Sequence, residues 1–157
     1  MTGECERSYG GPSVETSARM RRIRSKDTAP ELLVRRYLHA QGFRFRLHER
    51  CLPGKPDLVL HKYKTVIFVQ GCFWHLHGAG CRIKARAPRS NQDFWGPKLA
   101  RTVARDAQVQ SQLRVAGWQV LVVWECDLKQ PARGATLSQL SAEVLSTLEP
   151  LPNSYEY

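Results

Sequence analysis

The chain has 157 residues, of which 42% are hydrophobic and 24% charged; this suits one globular domain and excludes general disorder. No apolar run approaches the roughly 20 residues that cross a bilayer. Residues 1–12 also lack the apolar stretch of a signal peptide. We therefore expect a cytoplasmic protein with no membrane partner.

The charge is strongly positive and unevenly spread. Lys and Arg number 24 against 14 Asp and Glu, so the net charge is +10. Residues 19–50 hold ten basic and three acidic side chains, whereas residues 134–157 hold three acidic ones and no basic one. A clustered positive region favours a polyanionic partner, with nucleic acid first and an anionic membrane second. The alternative is a soluble protein that happens to be basic.

The amino-terminal part divides into a tail and a basic arm. Residues 1–17 show no periodicity and predict a flexible tail. Residues 18–26 are basic, with Met20 and Ile23 three apart, on one face if the arm is helical. That apolar pair either packs on the core or contacts unstacked DNA bases.

A helix and three strands are predicted next. Thr28 and Glu31 have the spacing of a capping box at a helix start, and Gly42 ends that helix. Three strands follow from the alternation or clustering of apolar residues, at 43–47, 58–60 and 66–69. The link between the last two is short enough for an antiparallel pair.

The second half of the chain predicts a helix, a strand and a helix. The first helix runs from about Pro97–Ala116, and the apolar strand Trp118–Trp124 is expected at a central, covered position. Residues 137–148 form a final amphipathic helix. This order predicts the α/β class, with a mixed β-sheet between helices. We expect one domain over residues 18–150 and a short tail over residues 151–157.

The cysteines point to a metal. Five cysteines in a chain without an export signal argue against a disulfide framework. Cys72, His77 and Cys81 offer two thiolates and an imidazole in ten residues, and Cys126, after the last strand, is the natural fourth ligand. Four ligands predict a structural zinc site closed to chemistry. The alternative is a set of buried cysteines and surface histidines that bind no metal.

Four polar residues are candidates for a catalytic site, and three of them have a structural alternative. Asp57, at a strand start, either binds Mg²⁺ in a nuclease or caps a turn, and for an isolated Pro-Asp pair the turn is favoured. His75 is a candidate general base beside the cysteine loop. Asp106 and Glu31 either support that base or act as a solvated helix charge and a capping partner.

The aromatic side chains are equally open to two interpretations. Phe73 and Trp74 stand side by side in a glycine-flanked loop, and Trp95 lies in a basic stretch. Each either anchors its segment in the core or inserts between DNA base steps.

Seven segments occur in one order between about Arg19 and Leu128. They are Met20-Arg21-Arg22-Ile23, Asp27-Thr28-Ala29-Pro30-Glu31, Leu52-Pro53-Gly54-Lys55-Pro56-Asp57, Val66-Ile67-Phe68-Val69-Gln70-Gly71-Cys72-Phe73-Trp74-His75, Phe94-Trp95, Val103-Ala104-Arg105-Asp106 and Val123-Trp124-Glu125-Cys126. As a set they resemble the very-short-patch-repair (Vsr) mismatch endonucleases, a branch of the restriction-endonuclease-like PD-(D/E)XK superfamily.

This resemblance implies a fold, an activity and site residues. The fold would be the restriction-endonuclease-like mixed β-sheet flanked by helices. The activity would be a Mg²⁺-dependent nick 5′ to the thymine of a T·G mismatch, the product of 5-methylcytosine deamination. Magnesium would bind the Asp57 carboxylate and the backbone carbonyl of Val69. His75 would be the general base, supported by Asp106 and Glu31.

The resemblance also implies a structural zinc ion and a way of holding DNA. The zinc ligands would be Cys72, His77, Cys81 and Cys126. The side chains inserted beside the mismatch would be Phe73, Trp74 and Trp95, with Met20 and Ile23 entering from the other groove. The partner would be mismatched double-stranded DNA, together with proteins of a repair pathway, and a monomer is expected.

The chain departs from the family pattern at two adjacent residues and in the length of one loop. Val69 stands where threonine is frequent, and Gln70 stands where histidine is familiar. The 77–81 loop is also longer than usual, with three small residues inside it. These departures motivate two alternatives: a nuclease of the same fold with another mismatch or sequence target, and a zinc-stabilised DNA-binding protein without catalysis.

Overall fold

A computed structural model describes residues 26–83 and 91–147. The flexible tail predicted at 1–17, the Met20–Ile23 pair of the basic arm and the tail at 151–157 lie outside these residues. The helices and strands in chain order are α1 (Ala29–Ala40), β1 (Arg46–Leu47), β2 (Leu58–Leu60), β3 (Thr65–Gln70), α2 (Gln92–Val115), β4 (Gln119–Trp124) and α3 (Arg133–Ser146).

The four strands form one mixed sheet in the order β1-β2-β3-β4. β1 pairs with β2 and β2 with β3 in antiparallel fashion, whereas β3 and β4 run parallel. The prediction of a mixed sheet among helices is therefore confirmed, as is the antiparallel pairing of the second and third strands. The restriction-endonuclease-like identity of this sheet stays a prediction.

Helices cover both faces of the sheet. On one face, α1 and α3 contribute apolar side chains such as Val34, Leu38 and Leu140 to the larger core cluster. On the other face, Leu113 of α2 packs with Trp118 and with inward residues of β2 and β3. Among the described residues, no helix combines the length and the apolarity that crossing a membrane requires.

The prediction of a central position for the last strand is wrong. Within the part of the chain that the structure describes, β4 lies at the edge of the sheet and β3 lies inside it. The apolar character of β4 has another physical cause, since Val123 and Leu121 pack in the cluster of one face and Val120 packs in the cluster of the other. Two covered faces require apolar residues at successive positions even where one edge has no strand neighbour.

Two element boundaries also differ from the predictions. α2 begins at Gln92, so Pro97 lies inside the helix rather than at its start. β1 is confined to Arg46–Leu47, because only these two residues pair with β2. Phe43 nevertheless packs in the core without being part of a strand.

Two local features place the functional residues. The Thr28 hydroxyl accepts a hydrogen bond from the Glu31 amide (3.4 Å), which confirms Thr28 as the cap at the start of α1; the Glu31 carboxylate accepts from the amide of Asp27 rather than from that of Thr28. Gly54, at φ +69°, lies against α2, and a Cβ there would stand 2.3 Å from a methyl group of Val109. The turn before Asp57 is thereby held close to α2.

Candidate functional site

Asp57 lies just before β2, with its carboxylate against β3. Asp57 Oδ2 accepts a hydrogen bond from the Val69 backbone amide (2.7 Å). Leu58 pairs with Ile67, so continuing this register by two residues sets Pro56 opposite Val69. The paired register of β2 begins at Leu58, and just before it the side chain of Asp57 accepts the hydrogen of the Val69 amide.

The same register defines the environment of the Val69 carbonyl. In an extended strand the N–H and C=O of one residue point to the same side, so this carbonyl faces the side on which Asp57 lies. Pro56 has no amide hydrogen to donate to it. The register thus sets the Asp57 carboxylate and the Val69 carbonyl on the same side of β3, and both are oxygen ligands of the kind that Mg²⁺ prefers.

Burial raises the pKa of Asp57 from its ordinary 3.8 to about 6. The Val69 amide opposes this shift by hydrogen bonding to the carboxylate, and the nearby Glu31 charge reinforces it. The positive charges of Arg35 and His75 act in the lowering direction. Asp57 therefore sits where a divalent cation would relieve an unfavourable negative charge.

His75 and Asp106 form a hydrogen-bonded pair at the cleft that also contains Asp57. His75 Nδ1 bonds to Asp106 Oδ2, and the two side chains are 23% and 19% exposed. The histidine belongs to the turn after β3, where its amide donates to the Gly71 carbonyl (3.2 Å), and Asp106 comes from α2. A carboxylate on Nδ1 leaves Nε2 as the ring nitrogen that can exchange a proton with a substrate or water.

Glu31 contacts the cap residue Thr28, as one of its two predicted roles requires, and it also lies near Asp57. Its carboxylate accepts hydrogen bonds from the Asp27 amide (3.0 Å) and from Arg35 Nη2 (2.8 Å), and it is almost fully buried. The Thr28 hydroxyl donates to its other oxygen (3.2 Å). Glu31 is thus fixed by α1, and it is close enough to Asp57 to raise the pKa of that carboxyl.

One cleft, of about 980 Å³, contains these groups. Its lining combines acids and histidines, which are buried or half-buried, with lysines and arginines, which are exposed. The acids and histidines are Glu31, His48, Asp57, His75, Asp106 and Glu125. The cations are Lys26, Arg50, Lys55 and Arg105. A negative interior with positive surroundings suits a cation held against a phosphate backbone.

His48 is a cleft residue that the sequence prediction missed. Its Nε2 lies 3.0 Å from Arg35 Nη2, and its Nδ1 lies 3.8 Å from Asp57 Oδ1. Arg35 stands one helical turn after Glu31, a spacing that indicates an ion pair on α1. Nothing in the local sequence indicates that His48, after β1, reaches the same group.

The predicted aromatic residues come together beside the cleft. Phe73, Trp74 and Trp95 contact one another, with ring centroids 5.0–6.0 Å apart. Trp95 is 6% exposed and anchors the group, whereas Phe73 and Trp74 are only partly buried. The sequence prediction missed Phe94, which is 42% exposed against Trp95, and Lys98, whose ammonium lies over three of the rings.

The four predicted zinc ligands also come together. The donor atoms of Cys72, His77, Cys81 and Cys126 all lie within 4.8 Å of one another. Tetrahedral zinc with Zn–S bonds of about 2.3 Å needs sulfur atoms about 3.8 Å apart, so this set fits a zinc ion. The Trp124 ring stacks on His77 at 4.1 Å and fixes the plane of the imidazole.

Burial isolates this cysteine cluster from solvent. Cys72 and Cys126 are 0% and 1% exposed, and burial raises the pKa of the Cys72 thiol to about 12. Neighbouring thiols of Cys81 and Cys126 add to the shift. Without a cation the Cys72 thiol is neutral, and a bound metal would have to displace its proton.

Comparisons with known proteins agree on one family. The family model described as DNA mismatch endonuclease Vsr matches residues 13–81. A type II nicking enzyme of Xanthomonas oryzae pv. oryzae, V.XorIIP, is 45% identical over 131 residues, which cover 83% of this chain and 90% of that protein.

Two further relatives have comparable identities. The type II nicking enzyme V.NmeAIP of Neisseria meningitidis is 48% identical over 113 residues, which cover 72% of this chain and 79% of that protein. The DNA mismatch endonuclease Vsr of Escherichia coli is 42% identical over 113 residues, which cover 72% of this chain and 70% of that protein.

Proposed function

Since this chain belongs to the family of Vsr DNA mismatch endonucleases, we propose that it nicks DNA 5′ to the thymine of a T·G mismatch in a Mg²⁺-dependent hydrolysis. One observation carries this proposal: Asp57 and the His75–Asp106 pair open into the same cation-lined cleft. A metal-binding carboxylate and a general base facing one cavity are the minimum for hydrolysing a phosphodiester.

Asp57 and the Val69 carbonyl are the proposed magnesium ligands. The amide of Val69 holds Asp57 Oδ2, which leaves Oδ1 directed to the other side of the carboxylate. Bound Mg²⁺ would neutralise charge on the scissile phosphate. Replacing the frequent threonine by Val69 keeps a backbone carbonyl and removes only a hydroxyl.

His75 is the proposed general base for the attacking water. Its Nε2 would take the proton, and Asp106, bonded to Nδ1, would hold the ring orientation and stabilise the imidazolium that results. Glu31 would contribute a fixed negative charge beside the magnesium ligands, because Arg35 and the amide of Asp27 hold its carboxylate in place.

The aromatic group is proposed to recognise the mismatch by insertion. Phe73 and Trp74 are partly exposed beside the cleft, and Trp95 supports them from below as a buried anchor. Separating base steps costs a few kcal/mol, and this cost is smaller at a weakly stacked mismatch than in matched DNA. Met20 and Ile23, outside the described residues, are proposed to enter from the other groove.

The cysteine cluster is proposed to hold structural zinc. Its four ligands would close the coordination sphere, and its burial excludes substrate. Three of its ligands lie in the same segment as Phe73, Trp74 and His75, so zinc would fix the loop that carries these residues.

The test is strand nicking of a labelled duplex that carries one T·G mismatch, beside its matched twin, with and without Mg²⁺. We expect one nick, on the thymine strand of the mismatch alone, and only with Mg²⁺. Equal cutting of the matched duplex would overturn the repair function. Tight mismatch binding without any nick would favour the zinc-stabilised DNA-binding protein instead.

One observation favours a second candidate, a nuclease of the same fold with another target. Gln70, where histidine is familiar, ends β3, is 5% exposed and lines the cleft beside Val69. Changing a buried polar group at this point alters the hydrogen bonds available near the scissile phosphate. Including other mispairs and other flanking sequences in the nicking assay separates the two, since this candidate predicts faster cutting of a substrate other than T·G.

A further inference from the structure

We propose that His48 is a positioning residue that links Arg35 to Asp57, acts as a neutral ring with its hydrogen on Nδ1, and orients the Asp57 carboxylate for its metal. This inference deepens the proposed function and rests on it for its catalytic consequence. It assigns a role to a histidine that lies after β1 rather than in any of the segments that carry the resemblance.

Arg35 determines the state of the His48 ring. Arg35 Nη2 lies 3.0 Å from His48 Nε2. A guanidinium can only donate hydrogen bonds, so His48 Nε2 must accept this one and carries no hydrogen. The hydrogen of the neutral ring is therefore on Nδ1, the nitrogen that faces Asp57.

The charges around His48 keep Arg35 in this position. Arg35 Nη1 lies 2.5 Å from Asp27 Oδ1, and Arg35 Nη2 lies 2.8 Å from Glu31 Oε2. The side chains of Arg35 and Glu31 are 10% and 4% exposed. The Arg35–Glu31 hydrogen bond is charge-assisted and buried, and such bonds are strong and directional. The guanidinium is thus a fixed donor for His48.

His48 Nδ1 approaches the oxygen of Asp57 that Val69 does not hold. The distance from His48 Nδ1 to Asp57 Oδ1 is 3.8 Å, whereas the Val69 amide is 2.7 Å from Oδ2. A separation of 3.8 Å exceeds a direct hydrogen bond. Catalytic hydrogen bonds often shorten only when substrate and metal are in place, and a small rotation of the carboxylate or one bridging water closes this gap.

The alternative assignment of the group, as a second metal site, does not fit. Donor atoms of Asp27, Glu31 and His48 do lie within 4.8 Å of one another. The Arg35 guanidinium contacts all three, at 2.5, 2.8 and 3.0 Å. A permanent cation already satisfies these ligands, so the group is an ion-pair network that supports Asp57.

The backbone of His48 adopts a rarely populated conformation that its side-chain contacts help to stabilise. His48 has φ 47°, in the left-handed region that residues other than glycine rarely adopt. Such a conformation is unfavourable for a residue with a side chain and persists where surrounding contacts stabilise it. The contacts of the ring with Arg35 and Asp57 are contacts of this kind.

The test compares His48→Leu with His48→Gln in the full-length protein, with His39→Gln on the exposed end of α1 as the matched control. Leucine fills space but neither accepts from Arg35 nor donates to Asp57. Glutamine does both, because its amide oxygen can accept and its NH₂ group can donate. Loss of a residue that orients a metal ligand lowers metal affinity about 10- to 100-fold.

We expect His48→Leu to raise the Mg²⁺ concentration for half-maximal nicking by about 10-fold or more, with unchanged affinity for mismatched DNA. His48→Gln should recover most of the wild-type Mg²⁺ dependence, and His39→Gln should match the wild type. A purely structural role predicts no recovery by glutamine, and equal Mg²⁺ dependence of His48→Leu and the wild type would overturn the proposal.

Two measurements separate this proposal from the proposed function. Nitrogen NMR of the histidine rings in the magnesium-free, zinc-containing wild type should show His48 with its hydrogen on Nδ1, and a hydrogen on Nε2 would refute the proposal without any activity assay. A Mg²⁺ titration followed by the Val69 amide signal should show weaker binding in His48→Leu than in the wild type. If the wild type nicked no substrate, the proposed function would fail, and these two results would still decide the role of His48.

Discussion

The cysteine cluster and the acid–histidine cleft share the segment after β3, yet they differ in burial and in the kind of ligand that they offer. Cys72 and Cys126 are 0% and 1% exposed, whereas the side chains of Asp57 and His75 are 18% and 23% exposed. The cluster offers four soft or borderline ligands, and the cleft offers oxygen ligands with a histidine nearby. A closed site suits stability and an open one suits chemistry.

Different side chains of this segment enter the cysteine cluster and the cleft, so one loop contributes to both sites. Cys72, His77 and Cys81 turn into the buried cluster, while Phe73, Trp74 and His75 between them lie at the cleft or beside it. A metal in the cluster would therefore fix the residues that act in the cleft. Changes in the cluster should impair folding and activity together, and changes in the cleft should impair activity alone.

The largest expected effect is the loss of a cluster ligand. Cys126→Ala should abolish zinc binding and lower the free energy of unfolding by on the order of 5 kcal/mol or more, because structural zinc contributes roughly 10–16 kcal/mol in small sites. Metal analysis and thermal unfolding measure this. Cys51→Ala is the matched control, since Cys51 is exposed and lies outside the cluster. A folded wild-type protein that contained no zinc would contradict the prediction.

The next effect concerns the cleft and should leave the fold intact. His75→Ala should slow nicking by about 10²–10⁴-fold, the usual contribution of a general base. Asp106→Asn should slow it less, because the ring remains but loses the carboxylate on Nδ1. Single-turnover nicking rates measure both. The control is Asp93→Asn, at the exposed start of α2, the helix that also carries Asp106. Equal nicking rates for all three variants would exclude His75 as the base.

A smaller effect appears in the pH dependence of the free energy of unfolding in the absence of magnesium. Burial raises the pKa of Asp57 to about 6, so between about pH 4 and pH 6 the folded protein binds a proton that the unfolded chain has released. Stability should therefore fall as the pH rises through this range, by up to about 3 kcal/mol. Asp57→Asn cannot ionise and should be more stable than the wild type above pH 6.

Denaturant unfolding of the wild type and Asp57→Asn, both containing zinc but no magnesium, at several pH values tests this. The difference between the two proteins should grow from about pH 4 and level off above pH 6. A difference that stayed constant over this range would mean that Asp57 ionises as easily in the folded protein as in the unfolded chain.

The smallest effect concerns mismatch recognition. Trp74→Ala should weaken binding to a T·G duplex by about 1–3 kcal/mol, the usual contribution of one base-stacking aromatic side chain. Binding to the matched duplex should change less. Fluorescence titration of both duplexes measures the difference, with Leu145→Ala, exposed on α3, as the control. An equal loss for both duplexes would assign Trp74 to general DNA affinity.

Local patterns predicted the elements whose cause is local. The capping box of Thr28 and Glu31 placed the start of α1, and clustered apolar residues placed β2 and β3. Three of the predicted zinc ligands lie within ten residues, so their grouping was visible in the sequence. Cys126 was placed with them from its position after a strand, and the structure confirms that the four donor atoms meet.

Long-range partners explain what the residues alone did not predict. Asp57 resembled a turn aspartate because its partner amide, Val69, is 12 residues away, and Asp106 resembled a solvated helix charge because His75 is 31 residues away. The edge position of β4 was missed because burial by helices on two faces resembles burial by neighbouring strands. His48 was missed since only the fold brings it to Arg35.

The most direct test of the division between the two sites is the nicking of a T·G duplex by Asp57→Asn, measured together with mismatch binding and thermal unfolding. We predict that nicking with Mg²⁺ is lost, whereas zinc content and mismatch binding stay at wild-type levels and the melting temperature is unchanged or higher. Nicking by Asp57→Asn at a rate comparable with the wild type would contradict the account, because the chemistry would then not depend on this cleft.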